Sequence, residues 1–188
     1  MIRQKDYIVR FMKKSAKTLT PEAIATAALT LIDEEGLDAL STRRLGARLG
    51  VEAMALYHHF PNKAVLLDRV AAKLLESIPL PTDETLGWRA WMGQAARSLR
   101  SAGLAHPHAF PLLSRSIPVP PVALRVLRIA GFSGRDAARM ARVMAVFLNG
   151  VVLAEIADPA AMDGVFERGL IMVLDGIARS LQRLSVLS

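Results

Sequence analysis

An all-α fold is what this chain predicts, and three observations predict it. Hydrophobic residues make up 52% of the sequence but aromatic ones only 5%, so the core has to be built from Leu, Ala, Val, Ile and Met, a mix that suits packed helices. No run of alternating β-branched and polar residues is bounded by turn dipeptides, so the strand signal is missing. Apolar positions recur instead at helical spacing, between hydroxyl caps and Gly or Pro breaks.

Thr20-Pro21-Glu22 opens the first helix: a capping hydroxyl, a Pro whose missing N–H is harmless in the first turn, and an acid at the positive dipole end. Ile24, Ala27, Ala28, Leu31 and Ile32 then keep one face apolar until Gly36 ends it. Ser41 or Thr42 caps a second helix through Leu49, Gly50 supplies a tight turn, and a short third helix covers Glu52 to His58. Two short helices split by a Gly turn predict a helix-turn-helix, over residues 20–63. Asn62 caps a linking helix over 64–77, and the Pro-rich stretch Ile78–Thr82 closes it. Five further helices are predicted at 84–103, 106–115, 120–130, 133–157 and 160–184, completing a second domain over 64–188.

Composition narrows the function. A length of 188 residues allows one or two compact units. With no cysteine, disulfides, thiolate zinc sites and thiol catalysis are excluded together. The opening stretch is charged throughout and holds no signal-peptide core, so a cytoplasmic protein is expected. Val143–Ala154 is the longest apolar stretch, contains Asn149, and falls short of the roughly 20 residues that span a bilayer, so no membrane role is expected. The formal net charge is +7, which favours a polyanionic partner. Residues 1–19 hold Arg3, Lys5, Arg10, Lys13, Lys14 and Lys17 against Asp6 alone. This basic arm either adds phosphate and minor-groove contacts or is a solvated tail.

The stretch LSTRRLGARLGVEAMALYHHFPNKAVLLDRV, Leu40 to Val70, resembles the DNA-binding signature of the TetR family, with the string Leu-Tyr-x-His-Phe-x-Asn-Lys its most specific part. The resemblance implies that Thr42 and Arg43 approach double-stranded DNA from the second helix, that Glu52, Ala53, Met54 and Ala55 face the groove, and that Tyr57, His59 and Lys63 hold phosphates. Leu45, Leu49, Val51 and Leu56 are expected to pack inward. Arg43 is the best candidate for direct base reading, because a guanidinium donates two hydrogen bonds to guanine, typically worth about 1–3 kcal/mol of discrimination. Met54 and Ala55 offer only apolar contact, which suits thymine methyls. In this the chain departs from the drug-binding repressor that gives the family its name, which has hydrogen-bonding residues at the positions of Ala53 and Ala55.

The same resemblance implies that the second domain dimerises and holds an inducer. Met140, Val143, Met144, Phe147, Val151 and Leu153 on one helix, with Leu170, Val173, Leu174, Ile177 and Leu181 on the other, form stripes wide enough for a four-helix interface, with Gly150 and Ala154 permitting close approach. The alternative is that these stripes fill the chain's own core. Trp88, Trp91, Met92, Leu99, Phe110, Leu113 and Phe147 are candidates for an apolar ligand cavity, although any such set also reads as core. The segment Trp88–Arg115 is similar to the drug-binding repressor's ligand domain. His106 falls where that protein holds a magnesium–drug complex. Ala95 and Ala154 stand where polar or acidic ligands would be needed, so a different, largely apolar effector is expected. His106 and His108 lack a third metal ligand at suitable spacing, so neither a metal site nor a cofactor is expected.

The expected function is therefore a ligand-responsive, sequence-specific transcriptional regulator, a repressor that binds a palindromic operator as a homodimer and is released by a small-molecule effector. An enzyme would need a nucleophile, an acid–base pair or a metal constellation. No G-x-S-x-G, phosphate loop, H-E-x-x-H or cysteine motif is present.

Overall fold

The computed structural model describes residues 19–115 and 119–186, and the basic arm lies outside the described residues. Among them are eight α-helices and no strand: α1 Pro21–Glu35, α2 Thr42–Leu49, α3 Ala53–Tyr57, α4 Lys63–Glu76, α5 Trp88–Ala105, α6 Pro121–Ile129, α7 Gly134–Ala157 and α8 Val165–Val186. The chain divides into two compact units that part between Lys73 and Leu74.

The first unit is set by its caps. Thr20 Oγ1 accepts from the Ala23 amide at 3.1 Å, and Gly36, at φ 85°, ends α1 with its amide on the Ile32 carbonyl. Ser41 Oγ accepts from the Arg44 amide to start α2, and Gly50 ends it in the left-handed region. Asn62 Oδ1 accepts from the Val65 amide at 3.0 Å at the start of α4. The core of this unit is Ile24, Ala25, Ala28, Leu31, Ile32, Leu45, Leu56, Phe60, Leu66 and Val70. Leu45 and Leu56 are buried as expected, whereas Leu49 and Val51 are only half-buried. Most of α4 belongs here and not to the second unit: Leu66, Leu67 and Val70 are buried, and Arg69 pairs with Glu22 of α1 at 3.4 Å.

In the second unit α7 packs against α5, α6 and α8. By length and composition alone α7 could cross a bilayer; here its inward face, Ala137, Ala141, Met144, Leu148 and Val152, is core. Glycine lets the helices close in. A Cβ on Gly103 would strike the Val152 side chain and lie 3.0 Å from the Phe110 ring, and one on Gly169 would lie 2.6 Å from the Phe147 ring. Three ion pairs tie the helices together. Arg97 donates to Glu167 at 3.0 and 2.7 Å. Arg100 grips Glu155 with two bonds, one of 2.8 Å, while its guanidinium lies 4.9 Å above the Phe166 ring. Arg89 pairs with Asp175.

Three sequence expectations need correcting. The helix expected at 84–103 is a 3-10 turn, Glu84–Leu86, then Gly87 at φ 75°, then α5 running to Ala105; the positive φ interrupts the helix. The helix expected at 106–115 is a turn at 106–109 followed by a 3-10 segment, Phe110–Arg115, because Pro107 and Pro111 withhold amide donors. The last helix begins at Val165 and not at 160, since Asp158-Pro159 and Gly164, at φ 67°, hold the intervening chain in turns.

Candidate nucleic-acid interface and interior cavity

The helix-turn-helix is built on one close approach. Gly46, buried in α2, accepts from the Val51 amide at 3.0 Å, and a Cβ there would lie 2.8 Å from the Val51 carbonyl oxygen. Backbone therefore packs on backbone, which fixes the angle between α2 and α3. Leu45 and Leu56 hold the inner side, leaving an outer face of Arg43, Glu52, Met54 and Tyr57, all exposed, with Thr42, Ala53, Ala55 and His59 half-buried beside them. Met54 is 70% exposed, a large apolar surface on the shortest of the helices with no protein partner to cover it.

Ion pairing sorts the arginines of α2. Arg44 is tied to Glu35, and Arg48 donates to both oxygens of Glu34 at 2.6 and 2.8 Å. The Arg48 bond holds the Glu34 carboxyl below the usual carboxylate range. Arg43 makes no ion pair among the described residues and keeps all its donors for an outside partner. The sequence shows three equivalent arginines; the acidic pair ending α1 separates them.

Lys63 ties two elements of the first unit together. Its Nζ donates to the Leu40 carbonyl at 2.9 Å, anchoring the start of α4 to the strand of chain that leads into α2. An ammonium has three donors, so two remain for another partner.

In the second unit a cavity of about 400 Å³ opens among the last turn of α4, the Pro-rich segment, α5, α6 and α7. Of the sequence candidates, Trp91, Met92, Leu99 and Leu113 are among its lining residues. Trp91 is held by its indole N–H, which donates to the Pro81 carbonyl at 2.9 Å and draws the Pro-rich segment over the site. Four expected lining residues lie elsewhere. Trp88 packs edge-on to Phe132, with ring centroids 6.5 Å apart. Phe110 is core against Gly103, Phe147 rests on Gly169, and His106 ends α5 with its amide on the Ala102 carbonyl. Aromatic size alone gave no register.

The cavity also holds residues that sequence reasoning missed, Leu75, Glu76, Leu148 and Asn149 among them. Asn149 is only 6% exposed, and its Oδ1 has no hydrogen-bond partner. Leaving a buried acceptor unpaired costs about 1–3 kcal/mol. Asn149 and Glu76 are the only polar residues among those described that line the cavity.

Burial divides the expected dimer stripe between the chain's own core and its surface. Met144, Val151, Leu170, Leu174 and Ile177 are core of the chain itself, and Met144 also lines the cavity. Met140, Phe147, Leu153, Val173 and Leu181 are half-buried, and Val143 alone of the set is exposed. The strongest apolar stripe of a packed helix turns inward first. The large apolar residues that α7 and α8 leave outside are Val143, Val146, Val165, Ile171 and Met172, the last 71% exposed.

Comparison with known proteins matches this geometry. The family model for bacterial regulatory proteins of the tetR family fits residues 24–70. The chain is 34% identical to the tetracycline repressor protein class A from transposon 1721 of Escherichia coli, over 86% of this chain and 91% of that protein. Among solved structures, a variant of TetR from Acinetobacter baumannii AYE in complex with minocycline matches with a TM-score of 0.76 at 31% identity, covering 87% of this chain and 99% of that one. BioQ with its natural double-stranded DNA operator matches with a TM-score of 0.72 at 32% identity, covering 86% and 99%. A helix-turn-helix built in this way, followed by a helical second unit and matched over nearly the whole of such a relative, makes this chain a member of the tetR family of bacterial regulatory proteins.

Proposed function

We propose that the protein is an effector-released transcriptional repressor that binds a palindromic operator as a homodimer in the cytoplasm. The observation that carries this reading is the outer face of α2 and α3, where Arg43 is left unpaired while Arg44 and Arg48 are bound to acids. An unpaired guanidinium beside exposed Met54 and Tyr57 offers a bidentate donor for guanine, an apolar patch for thymine methyls and a phenol for phosphate. Thr42, Glu52, Ala53, Ala55 and His59 complete that face, and Lys63 adds a phosphate contact. The operator complex of BioQ supports DNA as the partner, and the minocycline complex of TetR supports a small-molecule effector.

The dimer is assigned to the face that α7 and α8 leave exposed, Val143, Val146, Ile171 and Met172, flanked by Phe147 and Val173. A two-fold pair of these helices makes a four-helix interface and sets two recognition helices about 34–36 Å apart on the operator. The effector is assigned to the cavity. Leu75 and Glu76, in the last turn of α4, line it, while Lys63, in the first turn of the same helix, is bonded to Leu40 just ahead of α2. A ligand that prefers one setting of α4 thereby shifts the population of DNA-competent protein, by no more than its difference in affinity for the two settings.

Selection of bound sequences from random duplex DNA at fixed salt, repeated with Arg43→Ala, tests the reading. A palindromic site is expected, with preference at one base pair per half-site relaxed by about 1–3 kcal/mol in the variant. Sequence-blind, salt-sensitive binding by both proteins would overturn it.

A further inference from the structure

We infer that the cavity selects a predominantly apolar effector that bears no negative charge and carries one hydrogen-bond donor, a hydroxyl or N–H, which Asn149 Oδ1 accepts. This rests on the proposed effector reading and adds the chemistry of the ligand to it. The cavity wall is aliphatic and aromatic almost throughout: Trp91, Met92 and Leu99 of α5 face Met144 and Leu148 of α7. A wall of that kind rewards burial of apolar surface and gives no orientation. Asn149 interrupts it at the inner side of α7, more than nine-tenths buried, with its Oδ1 unpartnered. Buried polar groups are nearly always paired, so an unpaired acceptor on a residue that lines the cavity points to a ligand donor as its partner. No Lys or Arg is among the described lining residues, so nothing there compensates a carboxylate or phosphate, and Glu76 adds an acid to the wall. A charged acid is therefore excluded, and an ether or ketone, which only accepts, can pair with the Asn149 amide nitrogen alone and leaves Oδ1 unpaired.

Calorimetric titration of the full-length protein with hydroxyphenanthrene, its methyl ether and phenanthrene tests this. The three probes share one apolar body and differ in the donor. The wild type is expected to bind the hydroxyl compound roughly tenfold more tightly than the ether, the worth of one buried hydrogen bond. Asn149→Leu is expected to erase that ratio by weakening the hydroxyl compound alone. Equal binding of hydroxyl compound and ether by the wild type, or a ratio that survives Asn149→Leu, overturns the role of Asn149 and leaves the effector reading standing. Failure of all three probes to bind up to their solubility overturns the effector reading itself, and this inference with it. The wild-type comparison requires no variant, so it decides the matter even where Asn149→Leu does not fold.

Discussion

Gly46 carries the geometry of the recognition surface. Because its missing Cβ would meet backbone and not a flexible side chain, even the smallest substitution has to move α3. Gly46→Ala is expected to cost about 1–3 kcal/mol of stability, as overpacked sites do, and to abolish operator binding at temperatures where the fold survives. Thermal denaturation and operator titration read the two effects separately, and a variant that binds DNA normally would show that α2 and α3 are not set by this contact. At the same scale, the sequence makes the candidate DNA face legible and the cavity much less so. The string from Leu40 to Lys63 places Arg43, Met54 and Tyr57 through its resemblance to the family signature, and each lies within a helix or two of the turn that fixes it. Asn149 is invisible in that way. Nothing in its own neighbourhood distinguishes it from an ordinary polar residue in an apolar helix, and its meaning depends on α4, α5 and α6 meeting around it.

Among the elements, helix ends with side-chain or glycine caps are legible: Thr20, Gly36 and Gly50 all act as the sequence predicts. Ends imposed by turns within an apolar stretch are not, which is why α5 and α8 start later than their periodicity implies. The helices of the second unit are also held by charge. The bond from Arg100 holds the Glu155 carboxyl below its ordinary range, and Arg97 does the same for Glu167. A depressed folded-state value means that each carboxylate stabilises the fold above its unfolded value, roughly pH 4, and that this contribution is lost as pH falls through the lower folded value. Glu155→Gln is expected to remove about 1–2 kcal/mol at neutral pH, and to flatten the fall in melting temperature between about pH 5 and pH 3. A variant with an unchanged acid profile would show that Glu155 and Arg100 pair without stabilising the fold.

For the whole molecule, Val143, Val146, Ile171 and Met172 leave the chain with an exposed apolar face, and under the proposed dimeric reading a lone chain would reach only one half-site. Met172→Glu is expected to place a charge in the dimer contact, yield a monomer in sedimentation, and weaken operator binding roughly a hundredfold or more, since the two heads no longer act on one tether. A dimer of normal affinity would move the interface elsewhere. The setting of Trp91 has a last consequence. The chain contains two tryptophans; one lines the cavity with its indole fixed to Pro81, and the other, Trp88, packs on Phe132 outside it. Filling the cavity changes the surroundings of the first and not of the second. The protein thus contains its own fluorophore for effector discovery: with Trp88→Phe removing the background emission, a library of compounds can be read by light from Trp91 alone, without label, operator or knowledge of the regulated genes.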